Sequence, residues 1–212
     1  MTYQTLAPIF REQTPYGRGP YRKMRWGRGT ELWFLEGRDF RSPNSDPDGP
    51  SKTLWGKKQK EWLKRTLLES DADFRVLVSP SCIVGPGGKD TRAVFKMPSG
   101  GADSHGDGGY AWERREFLEW LRENKVHNAV IVGGDRHWQY HSVDPISGIH
   151  EFGCGPLSDS HASKDAPKSD LQRFLRSAGG YLSLSYEPGG QRLSVYVHDV
   201  HGEHVYGQSY GA

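Results

Sequence analysis

Val130-Ile131-Val132-Gly133-Gly134-Asp135-Arg136-His137 is the stretch on which the reading of this chain turns. Three consecutive β-branched apolar residues form a short buried-strand pattern, and two glycines stop it abruptly. A carboxylate and an imidazole follow, separated by one residue. In α/β proteins, polar groups just beyond the carboxyl end of a strand stand where ligand sites form. Asp oxygen and His nitrogen are both suitable donors to Zn, Mn or Fe, so Asp135 and His137 are candidate ligands of one ion. A turn aspartate beside a surface histidine has the same appearance, so the surrounding chain decides between the two.

Working outward toward the amino terminus, residues 112–122 read as a helix with Phe117, Leu118 and Leu121 inward. Before it lies a Gly/Pro-rich loop over 85–109 that carries Asp103, His105 and Asp107. A loop of that length is uncommon in a compact domain unless it serves a site or is disordered. Residues 74–78 read as a strand. Trp55, Gln59, Trp62, Leu63 and Leu67 give one apolar side to a helix beginning near Thr53 or Gly56 and ending near Glu69. Residues 31–36 read as a buried strand. This alternation of strands and helices predicts a parallel sheet flanked by helices. Residues 1–29 show no periodic segment and read as an irregular opening packed on the domain surface.

Toward the carboxyl terminus the pattern changes. Residues 138–143 and 149–152 predict two strands joined at 145–148, and 170–176 a short helix. Three alternating strands over 181–186, 192–198 and 204–210 then predict an antiparallel meander. The fold class expected is α/β with α+β character at the carboxyl end, in one domain over 30–212.

Hydrophobic residues make up only 34% of the 212, but 8 Phe, 7 Trp and 10 Tyr compensate in buried area. A formal net charge of +2 is too small to imply a nucleic-acid partner, despite the local cluster of Arg18, Arg22, Lys23, Arg25 and Arg28. Cys82 and Cys154 make no disulfide framework. No apolar run approaches the about 18 residues of a membrane helix, and no address signal is visible, which leaves localisation unknown.

The order of motifs resembles the alkaline phosphatase D-like (PhoD-like) metallophosphoesterases. The pieces are Leu35-Glu36-Gly37-Arg38-Asp39-Phe40-Arg41, Leu54-Trp55-Gly56-Lys57-Lys58-Gln59-Lys60-Glu61-Trp62-Leu63 and Phe74-Arg75-Val76-Leu77-Val78-Ser79-Pro80. Trp112-Glu113-Arg114-Arg115, Gly134-Asp135-Arg136-His137 and His198-Asp199-Val200-His201-Gly202 complete them. The resemblance implies part of a four-layer α/β/β/α sandwich whose loops hold two metal ions, divalent or trivalent, with Fe, Ca, Mn and Zn undistinguished. It implies hydrolysis of phosphate monoesters and, more readily, diesters, in a family whose members are often exported. Asp135 and His137 take the place of the family's late metal motif, and His105 is carried over more loosely as a third metal- or phosphate-contacting residue.

Arg136 and Arg38 are candidate phosphate clamps through bidentate hydrogen bonds. For Arg38 the alternative is a pair with Asp39 or Glu36. His141, His150, His161, His198, His201 and His204 read as structural or surface residues. The family's first-half metal motifs have no counterpart here, so the chain is expected to correspond to the carboxy-terminal half. Three ligands cannot build a clamp of two metals about 3.5–4 Å apart with a bridging carboxylate. The isolated chain is therefore expected to be inactive, and Trp33, Phe34 and Leu35 are expected to form an exposed face for a missing half or a homo-oligomer. A non-catalytic domain that binds a partner or a single ion is the alternative.

Overall fold

A computed structural model describes residues 8–9, 19–85, 103–164, 166 and 168–212. Arg18 and most of the long loop over 85–109 lie outside the described residues. Among the described residues the main strands and α-helices follow in the order β1 (Arg22–Trp26), β2 (Thr30–Phe34), α1 (Gly56–Glu69), β3 (Phe74–Ser79), α2 (Ala111–Glu123), β4 (Ala129–Gly133), β5 (Gln139–Val143), β6 (His150–Cys154), β7 (Gln172–Arg176), β8 (Tyr181–Glu187), β9 (Arg192–His198) and β10 (His204–Gly211). The first seven strands form one sheet ordered β1-β2-β3-β4-β6-β5-β7, and the last three a second sheet ordered β10-β9-β8. Strands β2, β3, β4 and β6 are mutually parallel, which aligns their carboxyl ends along one edge.

The period-two alternation of these strands sorts side chains onto two cores. Trp33, Leu77 and Ile131 pack with Leu63 and Leu67 of α1 and with Phe117, Leu118 and Leu121 of α2. Val76, Val130, Val132 and Phe152 point the other way, onto Leu193, Val195 and Val197 of β9. A sheet covered on both faces explains why 130–132 is apolar throughout rather than alternating. Each of these large side chains contributes about 1.5–3 kcal/mol by burial.

Three features differ from the sequence reading. Residues 172–176 form β7 rather than a short helix. Leu171, Phe174 and Leu175 have helical spacing, but the free edge of β5 offers a hydrogen-bonding partner, and Phe174 stacks on Tyr206 with ring centres 4.5 Å apart. The opening segment contains β1, which pairs antiparallel with β2. Trp33 is fully buried beneath α1, where its Nε1 donates to Thr66 Oγ1 at 2.9 Å, and Leu35 is buried as well. Of the three residues expected to be exposed, Phe34 alone lies on the second face of the sheet and is half-buried.

The two sheets are joined by a polar chain. His141 on β5 is almost fully buried, stacks on Phe152, and has Nδ1 2.8 Å from Tyr206 Oη and Nε2 2.8 Å from His150 Nδ1. Burial, with His150 and Arg173 nearby, pushes the His141 imidazole down to about 3, and burial with Arg173 lowers His150 too. In the unfolded chain these rings take up protons near pH 6.5; in the folded chain both do so at lower pH, His141 only near 3. Their contribution is complete above pH 6.5 and is lost as pH falls toward 3, with a slope of at most about 1.4 kcal/mol per pH unit per group. Urea midpoints measured between pH 7 and 4 are expected to fall, and to fall less steeply in His141→Phe.

Candidate active site

The aligned strand ends at Phe34, Ser79, Gly133 and Cys154 place four loops side by side. The loop after β4 turns sharply because Asp135 adopts φ 68°, the left-handed region that non-glycine residues rarely occupy and Asp tolerates better than most. Asp135 and His137 are both exposed at this edge. Between them, Arg136 is turned inward. Its Nε lies 3.2 Å from Cys82 Sγ, and its Nη2 donates to Ser104 Oγ at 2.8 Å and Asp107 Oδ2 at 3.0 Å. Arg136 thus ties three loops together and, as the structure stands, its guanidinium is committed to the protein.

The loop after β3 rests on a residue the sequence reading passed over. Glu151, fully buried on β6, accepts the backbone N–H groups of Ile83 at 2.6 Å, Val84 at 2.8 Å and Gly85 at 2.7 Å. Arg114 of α2 holds the same turn from the opposite side, donating to Ile83 O at 2.9 Å and Val84 O at 3.2 Å. The only signal in the sequence was a carboxylate between His150 and Phe152 in a buried strand. Cys82, carried on this turn, is fully buried, and burial pushes its thiol up to about 11 despite Arg136, so it is no nucleophile at neutral pH.

His105 and Asp107 divide the next loop between them. Asp107 accepts from the N–H groups of Asp103, Ser104 and Gly109 and from Arg136, which makes it the organiser of the turn. The His105 ring lies in the core against Trp55, with Nε2 3.0 Å from Glu113 Oε2. That ring is directed to α2 and not grouped with Asp135 and His137. Arg38, in the loop after β2, keeps a largely exposed guanidinium 3.4 Å from Asp103 Oδ2, and Glu36 caps its backbone N–H instead of pairing with its side chain.

The loop after β6 closes on the same edge. Ser163 N–H donates to His137 O at 2.7 Å, and Ser158 Oγ lies 2.9 Å from His161 Nδ1. The second sheet is fastened there by Gln139, which donates to Cys154 O at 3.2 Å and His198 O at 2.8 Å. His198 is held by Ser183 Oγ at 2.8 Å and stacks on Tyr181, a structural role consistent with its strand spacing. Among the described residues no group of three His, Cys, Asp or Glu side chains is arranged to hold a metal ion. Asp135 and His137 supply two donors of the right chemistry, which fits part of a coordination shell and not a whole one.

Residues 2–187 match the family described as PhoD-like phosphatase. The chain is 25% identical over 128 residues to alkaline phosphatase D of Bacillus subtilis (strain 168), an alignment covering 55% of this chain and 21% of that protein. The fold is similar to the solved structure of PhoD, with a TM-score of 0.72 at 18% identity, covering 95% of this chain and 45% of that one. It is also similar to purple acid phosphatase PPD1 from yellow lupin (Lupinus luteus), with a TM-score of 0.58 at 10% identity, over 89% of this chain and 32% of that one. The chain thus spans about a fifth of the Bacillus protein and less than half of the PhoD chain.

Proposed function

Because the chain belongs to the PhoD-like phosphatase family, we propose that its carboxyl sheet edge serves metal-dependent hydrolysis of phosphomonoesters and phosphodiesters. The observation that carries this reading is the left-handed turn at Asp135, which presents two ligand-type side chains, Asp135 and His137, to solvent where four loops converge. Relatives of this fold are metal-dependent in general, and in such sites the metal activates water and screens phosphate charge. In this chain Asp135 and His137 would hold the ion, and Arg38 would meet phosphate oxygens at the rim. Arg136 and Asp107 position the loops without touching substrate. His105 supports the site from the core through Glu113.

Among the described residues two donors leave a shell incomplete, which is the reason to expect little turnover from these 212 residues alone. The same observation supports the second reading, a non-catalytic domain that binds one ion or a partner. Metal content after equilibration with Zn, Mn, Fe or Ca, measured with hydrolysis of bis(p-nitrophenyl) phosphate, separates the two. Asp135→Asn and His137→Ala are expected to weaken metal uptake by at least the about 10–100-fold seen for outer-shell changes. Unaltered metal content in both variants would remove the assignment. Chelator-sensitive turnover lost in His137→Ala would establish the enzyme; metal uptake without turnover is common to both readings, and then an upstream open frame carrying Asp, Gly-Asp and Asn motifs would favour the enzyme and its absence the binding domain.

A further inference from the structure

Two arginines stand at the carboxyl sheet edge, and they are held in opposite ways. The Arg136 side chain is 14% exposed and is locked by contacts at 2.8 Å to Ser104, 3.0 Å to Asp107 and 3.2 Å to Cys82. The Arg38 side chain is 62% exposed, and both Nη1 and Nη2 lie 3.4 Å from one atom, Asp103 Oδ2. A single carboxylate oxygen thus sits in the guanidinium fork, where a phosphoryl oxygen sits in an arginine–phosphate pair. At 3.4 Å the contact is well outside the about 2.7–2.9 Å of a tight charge-assisted bond, so the carboxylate rests there loosely. The backbone is fixed on both sides. Glu36 accepts the Arg38 and Asp39 N–H groups, and Asp107, itself tied to Arg136, accepts the Asp103 N–H at 3.2 Å. The two side chains can therefore part without moving their loops.

We propose that Asp103 is a specificity-determining residue of this edge: its carboxylate occupies the Arg38 fork as an internal competitor and discriminates among anions by their charge. The inference rests on the reading that Arg38 meets phosphate oxygens. Two effects follow from the one carboxylate. Competition lowers the affinity of every anion alike, by no more than about fivefold, because an exposed ion pair contributes little. Repulsion acts on the anion once it is bound and grows with its charge. Two unit charges about 6 Å apart in water weaken binding by about threefold. A singly charged phosphate ester meets that factor once and a doubly charged one twice. Arg38 by itself favours the doubly charged ligand, and Asp103 opposes that preference.

The test titrates the full chain at pH 8 and low ionic strength, where such charge effects are least screened. The ligands are methyl phosphate, a dianion, and dimethyl phosphate, a monoanion, followed by NMR at the Arg38 Nε–H and the Ser104 backbone N–H. Asp103→Asn, checked for unaltered thermal unfolding, is expected to tighten both ligands, and methyl phosphate about threefold more. Asp103→Ser, a second neutral variant, is expected to give the same ratio. In Arg38→Ala the Ser104 response is expected to vanish, and adding Asp103→Asn to it is expected to restore nothing. Equal gains for the two ligands in both neutral variants, or no gain, would overturn the proposal while leaving the Arg38 contact standing. A Ser104 response unchanged in Arg38→Ala, or no response to either ligand, would overturn the proposal together with the Arg38 contact. Neither result touches the metal assignment at Asp135 and His137, which metal content decides.

Discussion

Replacing Glu151 with alanine is expected to lower the unfolding temperature of this chain by about 10–20 °C. The carboxylate is fully buried and is the acceptor for three consecutive backbone N–H groups, those of Ile83, Val84 and Gly85. Each buried donor left without an acceptor costs about 1–3 kcal/mol, and a loss of 1 kcal/mol moves the midpoint of a chain this size by about 2–4 °C. Burial pushes the Glu151 carboxyl above its ordinary range even with three N–H partners, so the charge itself offsets part of the gain. Glu151→Gln, which keeps one acceptor oxygen, should therefore fall between wild type and alanine. Thermal unfolding followed by circular dichroism measures this, and a shift below about 3 °C for the alanine variant would refute it. Since the turn also carries Cys82, whose sulfur contacts Arg136, hydrogen exchange should rise in the loop after β4 as well.

Glu113→Ala is expected to cost about 3–5 kcal/mol, the usual consequence of removing one partner from a buried polar pair. Its carboxylate accepts from Leu54 N–H at 2.7 Å and from Thr53 Oγ1, and it faces His105 Nε2 at 3.0 Å and Lys60 Nζ at 3.5 Å. Burial raises the Glu113 carboxyl, but His105, Thr53 and the Leu54 N–H outweigh it and hold the group at about 2. A carboxyl held down in this way contributes stability above its unfolded value near pH 4.5. That contribution is lost as pH falls from there through 2. Denaturant unfolding of wild type and variant at pH 7 and pH 3 is expected to show a smaller difference at the lower pH. A difference that is constant with pH would mean that packing, and not charge, accounts for the loss.

The parallel sheet was legible because its strands and helices carry strong local periodicity. The run over 130–132 lacks polar alternation since β4 is covered on both faces, and α1 shows its buried side at Gln59, Leu63, Thr66 and Leu67. β7 was not legible: its helical spacing is overridden by the edge of β5, a tertiary partner that no local window contains. β1 was missed for a related reason, because Arg22, Lys23 and Arg25 satisfy neither an apolar run nor an amphipathic stripe, and pairing with β2 sets the conformation. At the site, Asp135 and His137 stood out by their place after a strand. Glu151 and Asp107 did not: Glu151 acts through backbone N–H groups distant in the chain, and Asp107 through the N–H groups of its own turn together with the distant Arg136.

The four lateral margins of the two sheets are protected unequally. β1 is lined with Arg22, Lys23 and Arg25, and β7 carries Arg173 and Arg176, so each outer margin of the large sheet repels a like margin on another molecule. β10 is broken by a register shift between His204 and Tyr206, which spoils it as a template. β8, reading Tyr-Leu-Ser-Leu-Ser-Tyr-Glu, has neither a cation nor a bulge. Among the described residues, then, three margins are guarded and one is bare, and in crowded solution strand-to-strand contact is channelled through that one.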